Sequence, residues 1–262
     1  MWSYQHQHFQ VHQLPALKDN YIYLIEAKES QTLAAVDPAD AAIVNQACAE
    51  LNKPLTHILN THHHWDHTDG NQALKQRWNC QIIGAAHDRQ RIPHIDHVTS
   101  ETSPPELEGL SIQVLDLRGH TLGHIGYLLD DALFSGDVLF GGGCGRVFEG
   151  SHEQAWQSLQ KLAALPDATQ LYCAHEYTLP NLRFARGVDP DNSALQARIH
   201  HDTQTRMQQK PTIPSSIGLE KASNPFLRPL DSSFTHTYAQ QHQLPDDAFH
   251  VFSHLRKTKD QA

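Results

Sequence analysis

The densest group of possible metal ligands lies at residues 61–67, where the chain reads H-x-H-x-D-H after a threonine. His62 and His64 are two residues apart, and Asp66 and His67 follow directly. Imidazole nitrogen and carboxylate oxygen are donors that zinc, iron and manganese accept. A single catalytic ion that keeps an open position needs only about three protein ligands. Four donors within six residues therefore predict a metal site and favour two ions over one.

Three further donors follow predicted strands elsewhere in the chain. His120 lies in the sequence G-H-T-L-G-H, Asp137 follows Ser-Gly, and His175 follows Cys-Ala. Two ions that share a carboxylate and a water need about seven protein donors. One donor at each of these three strand ends, added to the first motif, completes that set. The spacing therefore predicts a binuclear site built at the ends of strands.

The elements that must position these donors are short β-rich runs that alternate with helical patterns. Strands are predicted at residues 21–27, 33–36, 56–59, 81–84, 111–117, 125–129, 132–135 and 170–174, and helices at 39–51, 72–78 and 153–165. This alternation predicts a layered α/β domain over residues 1–175. We expect Asp66 and His67 in a loop after the strand at 56–59, and a glycine-rich loop at 136–145.

After about residue 176 the β-branched runs disappear. Helical patterns occupy residues 193–209, 234–242 and 247–257, and Pro211 and Pro214 break the chain after the first of them. The sequence therefore predicts a small all-helical domain over residues 176–262.

Charge and cysteine content narrow the class of protein further. The chain of 262 residues has 20 Lys plus Arg against 29 Asp plus Glu, a net charge of −9, and no basic run, so nucleic acid is not expected as a partner. Its four cysteines lie far apart without a C-x-x-C pair, which indicates a reducing compartment. The first residues do not form a signal peptide, and no apolar stretch is long enough to span a membrane. We expect a cytoplasmic monomer that does not bind membranes.

The motifs around the donors resemble those of a known superfamily. H-x-H-x-D-H, G-H-T-x-G-H, S-G-D and A-H-E-Y are similar to motifs of the metallo-β-lactamase superfamily. Within it, residues 142–150, 173–178 and 224–228 resemble the hydroxyacylglutathione hydrolase (glyoxalase II) family. The resemblance covers nearly the whole chain. It implies an αββα sandwich over residues 1–175, followed by a small helical domain at 176–262 that binds glutathione.

The same resemblance implies a metal site and a reaction. It assigns one ion to His62, His64 and His120, a second ion to Asp66, His67 and His175, and the bridging position to Asp137. The ions would be divalent, zinc first, with iron or manganese as alternatives. The reaction would be hydrolysis of S-D-lactoylglutathione and other S-2-hydroxyacylglutathiones. Two cations lower the pKa of a shared water toward ~7, so the catalytic roles of Asp66 and Asp137 would be to orient and hold the resulting metal-bound hydroxide.

Glutathione would be bound by residues that match the family pattern, namely Arg146, Phe148, Tyr177 and Arg228. An arginine offers a planar fork for a carboxylate. Two departures are visible, because Phe148 lacks the hydroxyl of the tyrosine found in some relatives, and Asp231 stands where some relatives carry lysine. Lys221 or Arg183 are candidates to replace that lysine.

Ligand histidines usually donate their second N–H to an oxygen. Asp37, at the end of a predicted strand, is a candidate for this role, and Thr121 and His124 are further supporting candidates.

Two alternatives within the superfamily stay open. A persulfide dioxygenase would hold a single iron through His62, His120 and Asp137, and a lactonase would hydrolyse a different ester. The helical C-terminal segment and the Arg228 motif favour the thioester hydrolase. A binding module that has lost its ions is disfavoured, because all seven donors are present.

Overall fold

A computed structural model of the chain describes residues 1–261. Within it the chain forms two compact units. The first unit comprises residues 1–116 and 122–136, and the second comprises residues 117–121 together with the described residues from Asp137 onward. Among residues 1–261, no helix combines the length and the apolar character that a membrane span requires.

The first unit is built on a seven-stranded sheet whose strands lie in chain order. The strands are β1 (Trp2–Gln5), β2 (Phe9–Ala16), β3 (Asn20–Ala27), β4 (Leu33–Val36), β5 (His57–Leu59), β6 (Gln81–Ala85) and β7 (His97–Thr99). Strands β1 to β4 are antiparallel, and β4 to β7 are parallel. Val36 at the end of β4 pairs in register with Leu59 at the end of β5. The segments that follow these two strands therefore leave the sheet side by side.

Three helices connect the parallel strands. They are α1 (Ala41–Leu51), α2 (Trp65–Thr68) and α3 (Asn71–Trp78), and a single 3₁₀ turn follows at Ala86–Asp88. Asp40 begins α1 because its side chain accepts hydrogen bonds from two backbone N–H groups of the first turn. Val44 of α1 and Leu74 of α3 pack in one apolar cluster with Leu24 and Ile58 of the sheet. Burial of these side chains from water holds the helices against the sheet.

A second, antiparallel sheet completes the first unit. It contains β8 (Gln113–Asp116), β9 (Ile125–Leu129) and β10 (Ala132–Gly136). Phe134 of β10 meets Tyr23 of β3 edge to face, with ring centroids 5.5 Å apart. Aromatic contacts of this geometry add to apolar burial, so the two sheets share a buried interface.

The second unit is mainly helical. Its strands are β11 (Leu139–Phe140), β12 (Gly143–Cys144), β13 (Gln170–Cys173) and β14 (Ser215–Ser216), and its helices are α4 (His152–Ala163), α5 (Thr178–Val188), α6 (Ser193–Met207), α7 (Ile217–Ser223), α8 (Ser232–His242) and α9 (Ala248–Asp260). A 3₁₀ turn lies at Arg228–Leu230. Trp156 of α4 stacks on Phe252 of α9 at 5.3 Å, which joins these two helices through buried aromatic surface.

Most predicted elements are present within a few residues, but the sequence missed β1, β2, β7, β14, α5 and α7. Strand β2 carries buried His12 and Gln13, so it lacks the alternation of apolar and polar residues that marks a half-buried strand. Helix α5 contains Pro180, which disfavours a helix in its interior. Here Pro180 is the third residue of the helix, where the backbone N–H has no partner within the helix in any case.

The loop predictions need two corrections. Asp66 and His67 lie in the one-turn helix α2 and not in a loop. Residues 136–145, predicted as a glycine-rich loop, contain the short hairpin of β11 and β12. Both elements are too short to produce a periodic pattern in the sequence, which explains why they were missed.

Candidate metal centre

In the first unit, the donors of the H-x-H-x-D-H motif follow strand β5 directly. His62 is fully buried, and its Nε2 atom lies 3.0 Å from Nδ1 of His64. Helix α2 then turns the chain so that Oδ2 of Asp66 comes within 3.6 Å of Nε2 of His67. The motif thus presents two pairs of donor atoms, as an ion-binding segment requires.

Asp37 supports this motif from the end of β4. Its carboxylate accepts hydrogen bonds from the backbone N–H of Thr61 at 2.8 Å and from the Thr61 hydroxyl at 2.6 Å. It also accepts from Nδ1 of His67 at 3.0 Å. A histidine that donates through Nδ1 keeps Nε2 as the metal-binding atom. The structure therefore confirms the expectation that Asp37 contacts a candidate ligand histidine.

Asn20 is a supporting residue that the sequence reasoning missed. Its side-chain amide donates to the carboxylate of Asp66 at 3.2 Å and to the Asp66 backbone carbonyl at 3.0 Å. Asn20 is buried at the start of β3, so the amide is fixed and holds the Asp66 side chain in one orientation. The one available signal was the position of Asn20 directly before the strand predicted at residues 21–27.

Two further ring side chains, those of His124 and Tyr127, contact this motif or the residue before it. His124 stacks on His62 with ring centroids 4.7 Å apart. Tyr127 donates its hydroxyl to the backbone carbonyl of Asn60 at 3.0 Å. Burial, and then the nearby negative charge of Asp37, raise the pKa of Tyr127 well above its ordinary value. Tyr127 therefore stays protonated and remains a donor at neutral pH.

In the second unit, Asp137 lies between two imidazoles. Its Oδ2 atom is 3.5 Å from Nε2 of His120, and its Oδ1 atom is 3.3 Å from Nε2 of His175. All three side chains are buried. The Asp137 carboxylate therefore offers one oxygen to each of these two imidazoles.

The two histidines of the second unit are oriented in different ways. Nδ1 of His120 donates to the backbone carbonyl of Arg146 at 2.7 Å, which leaves Nε2 directed toward Asp137. The His175 ring lies parallel to the ring of Tyr177, with centroids 4.7 Å apart. Tyr177, predicted to bind glutathione, therefore packs directly on a candidate metal ligand.

Arg146 and Phe148 have the accessibility that a substrate contact needs. The Arg146 side chain is 54% exposed and pairs with Asp260 at 3.1 Å. Phe148 is 61% exposed, and the Arg146 guanidinium lies 6.0 Å from its ring centroid. Arg146 and Phe148 thus form an exposed surface in which a guanidinium paired with Asp260 lies beside an aromatic ring.

Arg228 has a more enclosed environment. Its guanidinium pairs with Asp189 at 3.0 Å and with Asp231 at 3.2 Å, and it lies 5.2 Å from the ring centroid of Phe234. Asp231, the residue in the place of a lysine, also caps the start of α8. Lys221, a candidate to replace that lysine, pairs with Asp167 at 2.8 Å. The charge of Arg228 is thus shared between two carboxylates.

The donor set consists of nitrogen and oxygen atoms. The described residues contain groups of histidine and aspartate whose donor atoms lie within 4.8 Å of one another. The four cysteines are buried, and among the described residues none of them forms a disulfide. Burial raises the pKa of Cys173 to about 12 and also raises the pKa of Cys144, so these two thiols stay protonated. Imidazole and carboxylate donors fit zinc, iron or manganese.

Comparison with known proteins assigns both parts of the chain. Residues 21–175 match the family model described as metallo-beta-lactamase superfamily, and residues 176–262 match that described as hydroxyacylglutathione hydrolase C-terminus. A hydroxyacylglutathione hydrolase of Rhodospirillum rubrum is 44% identical to this chain, and the alignment covers 95% of this chain and 97% of the relative. A hydroxyacylglutathione hydrolase of Synechococcus sp. is 46% identical to this chain, and the alignment covers 95% of this chain and 98% of that relative. The crystal structure of ETHE1 from Myxococcus xanthus has a TM-score of 0.65, 26% identity, and coverage of 94% and 97%.

The fold, the His and Asp donors and the first family match define a metal-binding α/β enzyme of the metallo-β-lactamase superfamily. Within that superfamily, this chain belongs to the hydroxyacylglutathione hydrolase family. The helical C-terminal region that the sequence predicted is therefore the family's own C-terminal domain.

Proposed function

We propose that the protein hydrolyses S-D-lactoylglutathione and other S-2-hydroxyacylglutathiones to a 2-hydroxy acid, D-lactate in the first case, and glutathione. The observation that carries this proposal is the segment 137–148. It begins at Asp137 between two imidazoles and reaches the exposed residues Arg146 and Phe148 nine and eleven positions later in the chain. Metal donors and a cationic, aromatic surface thus share one short stretch, in a chain with the family's C-terminal domain.

The proposed ligands follow the sequence assignment. His62, His64 and His120 would hold one divalent ion, Asp66, His67 and His175 would hold the other, and Asp137 would be a ligand of both. Zinc is the ion we propose first. Within each unit the donor pairs already face one another, which supports this assignment.

The chain's own residues prepare the site for hydrolysis. When bound, two cations supply Lewis acidity and lower the pKa of a water toward ~7. The amide of Asn20 orients the carboxylate of Asp66 through Oδ2, and this carboxylate would orient the attacking water while ligating an ion. The departing thiol has an ordinary pKa near ~8.5. It leaves as a thiolate, so the reaction does not require a general acid.

We propose that the tripeptide part of the substrate contacts Arg146, Phe148, Tyr177 and Arg228. The first two are exposed and adjacent, which supports direct contact with an anionic ligand. Tyr177 stacks on His175 and would place its hydroxyl beside the reacting group. Arg228 would contact a carboxylate only while sharing its charge with Asp189 and Asp231.

We further propose the division at residue 175 as a functional one. Residues 1–175 would supply all the metal ligands together with Arg146 and Phe148, and residues 176–262 would supply the other two glutathione contacts, Tyr177 and Arg228. The boundary between the two family matches supports this division. A monomeric state and a cytoplasmic location stay predictions from the sequence.

The test is steady-state hydrolysis of S-D-lactoylglutathione by the purified protein, with metal analysis of the same sample. We expect hydrolysis and up to two ions per chain. Oxygen uptake with a glutathione persulfide, without thioester hydrolysis, would instead identify the dioxygenase alternative. Hydrolysis of lactones in preference to the thioester would identify the lactonase.

A further inference from the structure

The hairpin of β11 and β12 joins the candidate metal ligands to the candidate glutathione contacts. We propose that Glu220 and Asn224, from the helical part of the second unit, are positioning residues that set the place of this hairpin. Through it they orient His120 and place Arg146 for substrate binding. This inference rests on the proposed thioesterase function and names residues to which no role has been assigned above.

Side chains of the helical segments hold the hairpin by its backbone. The N–H of Gly142 donates to Oε2 of Glu220 at 2.9 Å. The side-chain amide of Asn224 donates to the carbonyl of Gly143 at 2.9 Å and to that of Phe140 at 3.3 Å. The amide of Asn181 donates to the carbonyl of Gly141 at 3.1 Å. Each residue from 140 to 143 therefore has a backbone group bound by one of these three side chains.

The glycines allow these side chains to approach. A Cβ atom at Gly143 would lie 2.4 Å from the Asn181 amide nitrogen. Gly142 has a φ of +65°, and a Cβ atom there would lie 2.8 Å from Leu182. The left-handed conformation and the lack of space both require glycine. The turn is thus fitted to the helical segments around it.

Glu220 is itself fixed, because both of its carboxylate oxygens accept two hydrogen bonds. Oε2 accepts from Gly142 and from the Asn224 amide, at 2.9 Å each. Oε1 accepts from Arg198 at 2.6 Å and from Ser215 at 2.5 Å. Glu220 is fully buried, and a buried carboxylate with four donors has little freedom to move.

The hairpin continues directly into the site. The N–H of Gly145 donates to the carbonyl of Val138 at 3.1 Å, which places the next residue, Arg146, beside the metal-donor segment. The Arg146 carbonyl then accepts from Nδ1 of His120 at 2.7 Å. The N–H of Phe148 donates to the carbonyl of His120 at 3.2 Å. A shift of the hairpin would therefore move the carbonyl that orients His120 and the two exposed substrate contacts together.

The test compares Asn224→Ala with the wild-type protein in three measurements. They are KM and kcat for S-D-lactoylglutathione, the Kd of S-hexylglutathione by calorimetry, and the rate of metal loss to a chelator. Loss of a partner that orients a ligand costs roughly 10- to 100-fold in metal affinity or activity. We expect KM and Kd to rise about tenfold and metal loss to accelerate about tenfold, with a smaller fall in kcat.

Asn181→Ala is the milder companion variant, because it removes a single hydrogen bond to the hairpin. It keeps the proposal testable if Asn224→Ala does not fold, and we expect its KM and Kd to rise by a smaller factor in the same direction.

Asp202→Asn is the matched control. Asp202 is buried and pairs with Arg198 at 3.2 Å, on the side of the network that does not contact the hairpin. We expect it to lower Tm and to leave KM and Kd unchanged.

A folded Asn224→Ala or Asn181→Ala protein with wild-type KM, Kd and metal retention would overturn this inference while leaving the proposed function intact. Equal rises in KM and Kd for Asp202→Asn would also overturn it, because the effect would then follow from lost stability. If the wild-type protein neither hydrolysed the thioester nor bound S-hexylglutathione, both proposals would fall.

Discussion

The two units orient their candidate metal ligands by different means. In the first unit, side chains hold the donors, since Asp37 binds His67 and Asn20 binds Asp66. In the second unit, a backbone carbonyl orients His120. A side-chain support can be removed by one substitution, whereas a backbone support changes only when its segment moves. The sensitive positions of the second unit therefore lie one step further from the metal, in the residues that hold the hairpin.

The largest expected loss of activity comes from replacing a metal donor itself, because the supports in both units act only by positioning such donors. Asp137→Asn keeps the size of the side chain and removes its charge between His120 and His175. We expect kcat/KM to fall by about 10³-fold, on the scale of losing a preorganised electrostatic group. Metal content per chain should fall in parallel. Asp167→Asn, which changes an exposed aspartate, is the control and should leave both unchanged. Wild-type activity in Asp137→Asn would contradict the ligand assignment.

A smaller effect is expected from the side-chain support of the first unit. Asp37→Asn weakens the hydrogen bonds to His67 and Thr61. We expect metal affinity to fall roughly 10- to 100-fold, and activity to recover when metal is added in excess. Competition with a chelator measures the affinity.

Asp40→Asn is the control for this prediction. Asp40 caps helix α1 in the same unit, and asparagine caps a helix equally well. If the Asp37 and Asp40 variants retained metal equally, the support assigned to Asp37 would be wrong.

Asn20→Ala tests whether orientation of Asp66 matters beyond metal retention. The substitution removes the amide that donates to the Asp66 carboxylate at 3.2 Å. A hydrogen bond to a charged group contributes roughly 1.5–3 kcal/mol, so we expect kcat to fall about tenfold or more with little change in KM. Asn45→Ala is a control, because Asn45 binds Trp78 between α1 and α3. A rise in KM with unchanged kcat would place Asn20 in substrate binding instead.

The smallest effect is expected at Arg228. Its charge is already shared between Asp189 and Asp231, so its contribution to binding a substrate carboxylate is reduced. We expect Arg228→Ala to raise KM about fivefold, or roughly 1 kcal/mol, with kcat preserved. Lys75→Ala, which removes a partly exposed cation paired with Asp96 in the first unit, is the control. An unchanged KM would remove Arg228 from the substrate site.

The first motif was predictable from sequence because its donors are adjacent in the chain. The strand before it and its spacing of His62, His64, Asp66 and His67 are local properties, and the structure keeps these donors in facing pairs. The short helix α2 was predicted as a loop, because a single turn leaves no periodic signal.

Strand β2 was missed because it buries polar residues, which obscures the pattern of a half-buried strand. Its buried His12 is paired with Glu26 on the neighbouring strand, and only the paired structure reveals that a polar residue there is satisfied.

Residue type and spacing along the chain were sufficient to predict the α/β and helical regions and the family, and they supply the donor set that we propose. They offered Asp37 as a candidate support without naming the histidine that it contacts, and they did not reveal Asn20, Glu220 or Asn224. Asp37 is 30 residues from His67, and Glu220 is 78 residues from Gly142, yet each pair forms a buried hydrogen bond. Periodicity and local motifs describe neighbours within a few positions, whereas these contacts depend on how distant segments pack. The folded structure is therefore what identifies Asn20, Glu220 and Asn224 as residues that hold the candidate site in place.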